Sequence, residues 1–129
     1  MLQDLGLLVL RVPVGLMMFF GHGIGKVQKL LAGNVEFADP LGLGPGPSLA
    51  LAALAECLGS LMVTAGIKAR WAAIPVAFTM LVAGFLFHAD DPWKRKEMAM
   101  LYAAAFLAIA LAGPGRYSVD GMMSGRKGR

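Results

Sequence analysis

The sequence predicts an all-α fold: an integral membrane four-helix bundle in one domain, residues 1–129, with an irregular Gly/Pro-rich first loop. Three observations carry this prediction. The chain is 57% hydrophobic with a mean hydropathy of +0.66. Its apolar residues gather in runs at about 5–24, 48–66, 71–89 and 98–112, most of them near the ~20 residues that a hydrocarbon core requires. The Lys and Arg residues sit beside those runs: Lys26 and Lys29, Lys68 and Arg70, Lys94 to Lys96, then Arg116, Arg126, Lys127 and Arg129. Basic flanks of this kind are a membrane-protein pattern. They account for the net charge of +4 and the pI of 9.6 without a nucleic-acid partner. The first partner implied is the lipid bilayer.

The first helix is expected over about 5–24, with Pro13 inside it, which membrane helices tolerate. It reads as a retained helix rather than a signal peptide, because the leader before it has no Lys or Arg and Arg11 interrupts its apolar run. The start of the first loop, Lys26 to Leu31, suits a short interfacial helix, whereas Asp39 to Pro47 carries too many Gly and Pro to hold a long one. A second helix over about 48–66 leads through the basic turn Ile67 to Arg70 into a third over about 71–89, which opens on Trp71 as an interface anchor. A charged loop, Asp90 to Lys96, contains a second interfacial Trp, Trp93. A fourth helix over about 98–112 stops at Gly113-Pro114-Gly115, and the basic tail 116–129 is expected to fray. The side bearing both termini and the second loop holds six Lys or Arg against five on the other, Arg11 aside. That balance leans toward an orientation with both termini in the cytoplasm.

Arg11 and Glu56 lie inside apolar spans, where a charge costs at least a few kcal/mol and marks a function or a paired polar core. Arg11, Gly15, Met18 and His22 are spaced four, three and four, which places them on one helical stripe. Ala52, Glu56, Gly59 and Val63 form a similar stripe, and small residues on such stripes allow close helix contact. The opposite charges predict an intramembrane ion pair between Arg11 and Glu56.

His22, His88 and Glu97 fall near one membrane face, at the level of Lys26, Phe85, Phe87 and Trp93. Three readings stand open. They are polar residues at helix ends, or a quinone pocket in which His and carboxylate bond carbonyl oxygens and exchange protons beside an aromatic wall, or a haem or metal site on His22 and His88. The last is weakest, because two helix-end histidines without Cys-x-x-Cys-His are a poor ligand set. The single cysteine, Cys57, forms no internal disulfide or Cys-x-x-Cys pair and reads as a small core residue. The nine methionines are mostly scattered along apolar helices as packing residues. No catalytic residue set is evident.

The order of these features resembles the DoxX family of small membrane proteins. The matching pieces are Arg11 and Gly15; Gly21-His22-Gly23-Ile24-Gly25-Lys26; the Gly/Pro loop; Ala55-Glu56 with Gly59 and Gly66; His88; Glu97; and the tail Gly113-Pro114-Gly115-Arg116-Tyr117-Ser118-Val119-Asp120. The resemblance covers roughly residues 5–120. It implies a four-helix protein of the cytoplasmic membrane, linked to respiratory or oxidative-defence redox chemistry with soluble redox partner proteins, and it supplies no catalytic residues. Three functions follow: a redox subunit binding quinone near His22, His88, Glu97 and Trp93; a non-catalytic scaffold for soluble redox enzymes; or a small proton-coupled transporter using Arg11 and Glu56, which would call for a homo-oligomer to enclose a path.

Overall fold

A computed structural model describes residues 1–36, 39 and 41–127. Among the described residues the fold has five helices and no strand: α1 (Leu2–Leu31), α2 (Pro45–Ala65), α3 (Ala69–Phe87), α4 (Trp93–Ala112) and α5 (Val119–Lys127). The first three are long and apolar enough to cross a membrane. The fourth opens on Lys94, Arg95, Lys96 and Glu97 and turns apolar from Met98 onward. It nevertheless runs antiparallel along the full length of α3. A Cβ at Gly84 would collide with Met100 at one end, and Arg70 bonds the carbonyls of Leu111 and Ala112 at the other.

The helices are longer than the apolar runs suggest. α1 does not stop at residue 24 but continues to Leu31, so the short interfacial helix expected after it is its last two turns. α2 starts inside the Gly/Pro stretch, because Pro45 occupies its first position, where the missing N–H costs nothing, after Gly44 at φ 98°. Of that stretch, Pro40 lies outside the described residues, as do Phe37 and Ala38; Ser48 Oγ donates to Asp39 Oδ1 at 3.0 Å. The part of the loop Asp90 to Lys96 that follows Pro92 is the first turn of α4.

The core is made where the small-residue stripes meet. Met18, Val63, Ala73, Val76, Ala77, Phe106 and Ile109 are buried together. α1 and α2 cross so closely that a Cβ on Gly15 would strike Thr64, and one on Gly23 would lie 2.7 Å from the Glu56 carbonyl oxygen and 2.8 Å from Cys57 Cα. A Cβ on Gly59 would lie 2.9 Å from Val76 on α3. The membrane core gives helices no hydrophobic drive to associate, so contacts this close supply the van der Waals packing that holds them.

The tail, over its described residues to 127, packs back against the bundle. Asp4 Oδ1 accepts from the Arg116 backbone N–H at 2.9 Å, Ser118 is buried, and residues 119–127 are helical. Asp120 caps α3 from a distance of some fifty residues in sequence: its Oδ1 and Oδ2 accept from the N–H groups of Lys68 (2.8 Å) and Ala69 (3.0 Å). That cap holds Lys68 in a left-handed conformation, φ 45°, which costs a non-glycine residue some energy. The start of α1 at Asp4 and the tail at Arg116 to Asp120 therefore meet at one end of the bundle.

Candidate functional site

Two separate polar clusters lie along the bundle, one at the end bearing Asp4 and the tail and one beginning at mid-length in α2, and each takes one of the intramembrane charges. In the first, Arg11 is 2% exposed. Its Nη1 donates to the carbonyl oxygens of Val63 (3.0 Å) and Thr64, and its Nη2 donates to that of Tyr117 (2.6 Å). The last carbonyls of a helix have no intrahelical donor, and a guanidinium fork can serve several of them at once. Arg11 is thus a structural clasp between α1, the end of α2 and the returning tail.

Glu56 is fully buried at mid-length in α2, and Lys26 Nζ lies 2.6 Å from its Oε2. The two form an ion pair, and Oε1 has no hydrogen-bond partner. The ion pair expected between Arg11 and Glu56 is therefore not formed. The physical reason is the length of α1. Because the helix continues past residue 24, the stripe Arg11, Gly15, Met18, His22 gains Lys26 one turn further on. Glu56 and Val63 are seven residues, or ~10 Å, apart along α2, so the antiparallel α1 offers Lys26 to the first and Arg11 to the second.

Around Glu56 the helices share a local feature. α1, α2 and α3 each contain a wide π-helical turn, at Phe19–Gly23, Leu54–Gly59 and Ala83–Phe87. Such turns are rare and are found often at functional sites. The first contains His22, the second contains Glu56, and the third ends just before His88.

All three border one cavity of about 560 Å³. Its walls are mostly apolar, including Leu51, Leu54, Leu58, Met62, Phe78 and Phe87, and its polar groups are His22, Lys26, Glu56, His88 and Arg95, with Ser48 and Thr79. Leu54, Leu58 and Phe78 are themselves more than half exposed on the outer surface of the bundle, so the cavity opens between α2 and α3 toward the surrounding lipid.

The histidines of the sequence reading, His22 and His88, thus line one cavity. Glu97 and Trp93 do not: both are exposed, and neither is among the lining residues. Glu97 belongs to the second turn of α4, which starts at Trp93. His88 instead has Asp91 as its carboxylate, Nδ1 to Oδ2 at 2.6 Å. The hydrogen bond from His88 holds the Asp91 carboxyl below its usual range. His22 packs edge-on against Tyr102 of α4, ring centroids 5.5 Å apart. Lys26, Asp91 and Tyr102 are the neighbours that the sequence reading did not assign to these groups. The spacings that point to them are His22 to Lys26 at i,i+4, His88 to Asp91 at i,i+3, and Tyr102 beside the buried stripe Ala99, Ala103 and Phe106. Among the described residues, no three His, Cys, Asp or Glu converge to hold a metal ion.

With this geometry in view, the comparisons with known proteins are specific. The chain is 31% identical over 127 residues to the inner membrane protein YqjF of Escherichia coli (strain K12), an alignment covering 95% of each chain. It is 28% identical over 122 residues to an uncharacterized protein of Haemophilus influenzae, covering 86% of this chain and 85% of the relative. No solved structure matches. Residues 6–89, which hold Arg11, His22, Lys26, Glu56 and His88, match the DoxX family, and the chain is a multi-pass membrane protein belonging to that family.

Proposed function

We propose that this protein lies in the cytoplasmic (inner) membrane and serves a respiratory or oxidative-defence redox system by binding a quinone in the cavity between α2 and α3. The location is supported by the E. coli relative, which carries the description inner membrane protein and aligns over 95% of each chain. The single observation that carries the ligand reading is the cavity itself. Its volume falls within the roughly 300–1,000 Å³ usual for small-molecule sites, and a few convergent polar groups on apolar walls are the usual make-up of such sites. Its opening toward lipid suits a ligand dissolved in the bilayer. Imidazoles at His22 and His88 can donate to or accept from the oxygens on such a ring. Soluble redox proteins at the membrane surface would be the partners of such a site.

The test is binding of a short-chain quinone analogue to purified protein in lipid nanodiscs. His88→Ala should weaken binding at least ~tenfold, about 1.4 kcal/mol, and His22→Ala measurably, whereas Glu97→Gln, outside the cavity, should leave it unchanged. Wild-type protein that binds no quinone would favour the scaffold for soluble redox enzymes instead.

A further inference from the structure

We propose that the cavity selects the reduced, hydroxyl-bearing form of its ligand, with Glu56 as the residue that makes the choice. This rests on the reading of the cavity as a quinone site and adds to it the redox state and the recognising atom.

Glu56 is 0% exposed, borders the cavity, and has an Oε1 with no hydrogen-bond partner. An orphaned buried carboxylate oxygen is costly, and native structures rarely leave one without a purpose. Lys26 Nζ stands 2.6 Å from Oε2, an ion-pair contact in which Glu56 is the carboxylate. An ionised carboxylate only accepts hydrogen bonds. The group that completes Oε1 must therefore donate. A quinone carbonyl cannot donate, while the hydroxyl of a quinol can, and an O–H to carboxylate bond is among the stronger kinds. A cationic ligand is a poorer fit, because Lys26 already neutralises the carboxylate and a second ammonium would face the first. The apolar walls at Leu54, Leu58 and Phe78 complete the description: a neutral ring or chain with a hydroxyl at the end that reaches Glu56.

The experiment compares a decyl-chain benzoquinol with the corresponding benzoquinone, each titrated into wild-type and Glu56→Gln protein in nanodiscs under anaerobic conditions. Wild type should bind the quinol at least ~tenfold more tightly than the quinone. Glu56→Gln should lose most of that preference. The double variant Lys26→Met/Glu56→Gln removes both charges together and gives the same reading if the single variant folds poorly. Equal binding of both forms by wild type, or a preference untouched in both variants, overturns the selectivity while leaving the quinone site in place. Binding of neither form overturns both.

Discussion

Arg11 donates through Nη2 to the carbonyl oxygen of Tyr117, 2.6 Å away and 106 residues later in the chain. That bond ties the first helix to the returning tail, and Nη1 of the same guanidinium holds the end of α2. The intramembrane arginine is accounted for by architecture, and the cavity chemistry falls to other residues. Arg11→Met should leave three carbonyls without their charged donor. The Val63 carbonyl keeps the Gly66 N–H at 3.1 Å, so two acceptors lose their donor; at ~1–3 kcal/mol for each acceptor left unpaired, a loss of at least about 2 kcal/mol is expected in detergent thermal or chemical unfolding, with Arg11→Lys intermediate.

The two intramembrane charges belong to separate clusters, so their energies should add. A double-mutant cycle of Arg11→Met and Glu56→Gln should show a coupling below about 0.5 kcal/mol, as for independent sites. The cycle of Lys26→Met and Glu56→Gln should behave differently. Removing Lys26 alone strands a buried carboxylate at a cost of ~3–5 kcal/mol, and neutralising both partners should restore a good part of it. A large coupling in the first cycle and none in the second would reverse the assignment made here.

Gly23 sits where α1 and α2 nearly touch, and the atoms a Cβ would meet there are backbone, at 2.7–2.9 Å. Backbone cannot swing aside as a side chain can. Gly23→Ala should therefore cost about 1–3 kcal/mol as an overpacking change and should disturb the neighbouring contact of Lys26 with Glu56. Gly25→Ala, with open space around its Cβ, is the matched control and should be close to neutral in the same unfolding assay.

The stripes Arg11, Gly15, Met18, His22 and Ala52, Glu56, Gly59, Val63 are legible from their spacing alone, and all of these residues are buried except His22, which is half-buried. What periodicity does not reveal is where α1 ends. Lys26 looks like a flank to an apolar run, yet it is the next residue of the stripe, and one further turn of helix changes the partner of Glu56. The π-helical turns are equally hidden, since no residue type dictates them. Asp120 and Tyr117 are hidden for another reason: the contacts that order the tail reach Lys68 and Arg11, and pairings this remote leave no local pattern. Glu97 shows the opposite failure. It lies close to His88 in the chain, but the turn of α4 it occupies directs it to the exposed surface.

Asp120 should matter more than an exposed tail residue would. Asp120→Ala removes the acceptor for the first N–H groups of α3 and should cost about 0.5–2 kcal/mol, the usual range for a lost helix cap. Hydrogen exchange should quicken at Lys68 and Ala69 in that variant, and Asp120→Asn should retain part of the protection. Unchanged exchange at both amides would contradict the cap.

The His88–Asp91 contact gives a pH dependence with a definite sign. The folded protein holds the Asp91 carboxyl below its ordinary value through the hydrogen bond from His88. A depressed folded value means that the contribution is fully present above the unfolded carboxylate value, near pH 4, and is lost as pH falls through the folded one. Exchange protection of the loop between α3 and α4 should be constant from pH 7 to about 5 and should weaken on further acidification. Asp91→Asn should abolish this acid dependence.

Photoaffinity labelling tests the cavity assignment most directly. A photoreactive quinone analogue, irradiated with the full chain in nanodiscs and mapped by peptide mass spectrometry, should label α2 around Leu51–Leu58 and α3 around Phe78–Phe87, and excess unlabelled quinone should suppress that labelling. Labelling confined to the Arg11 and Tyr117 end of the bundle, or labelling that excess quinone leaves unchanged, would contradict the account.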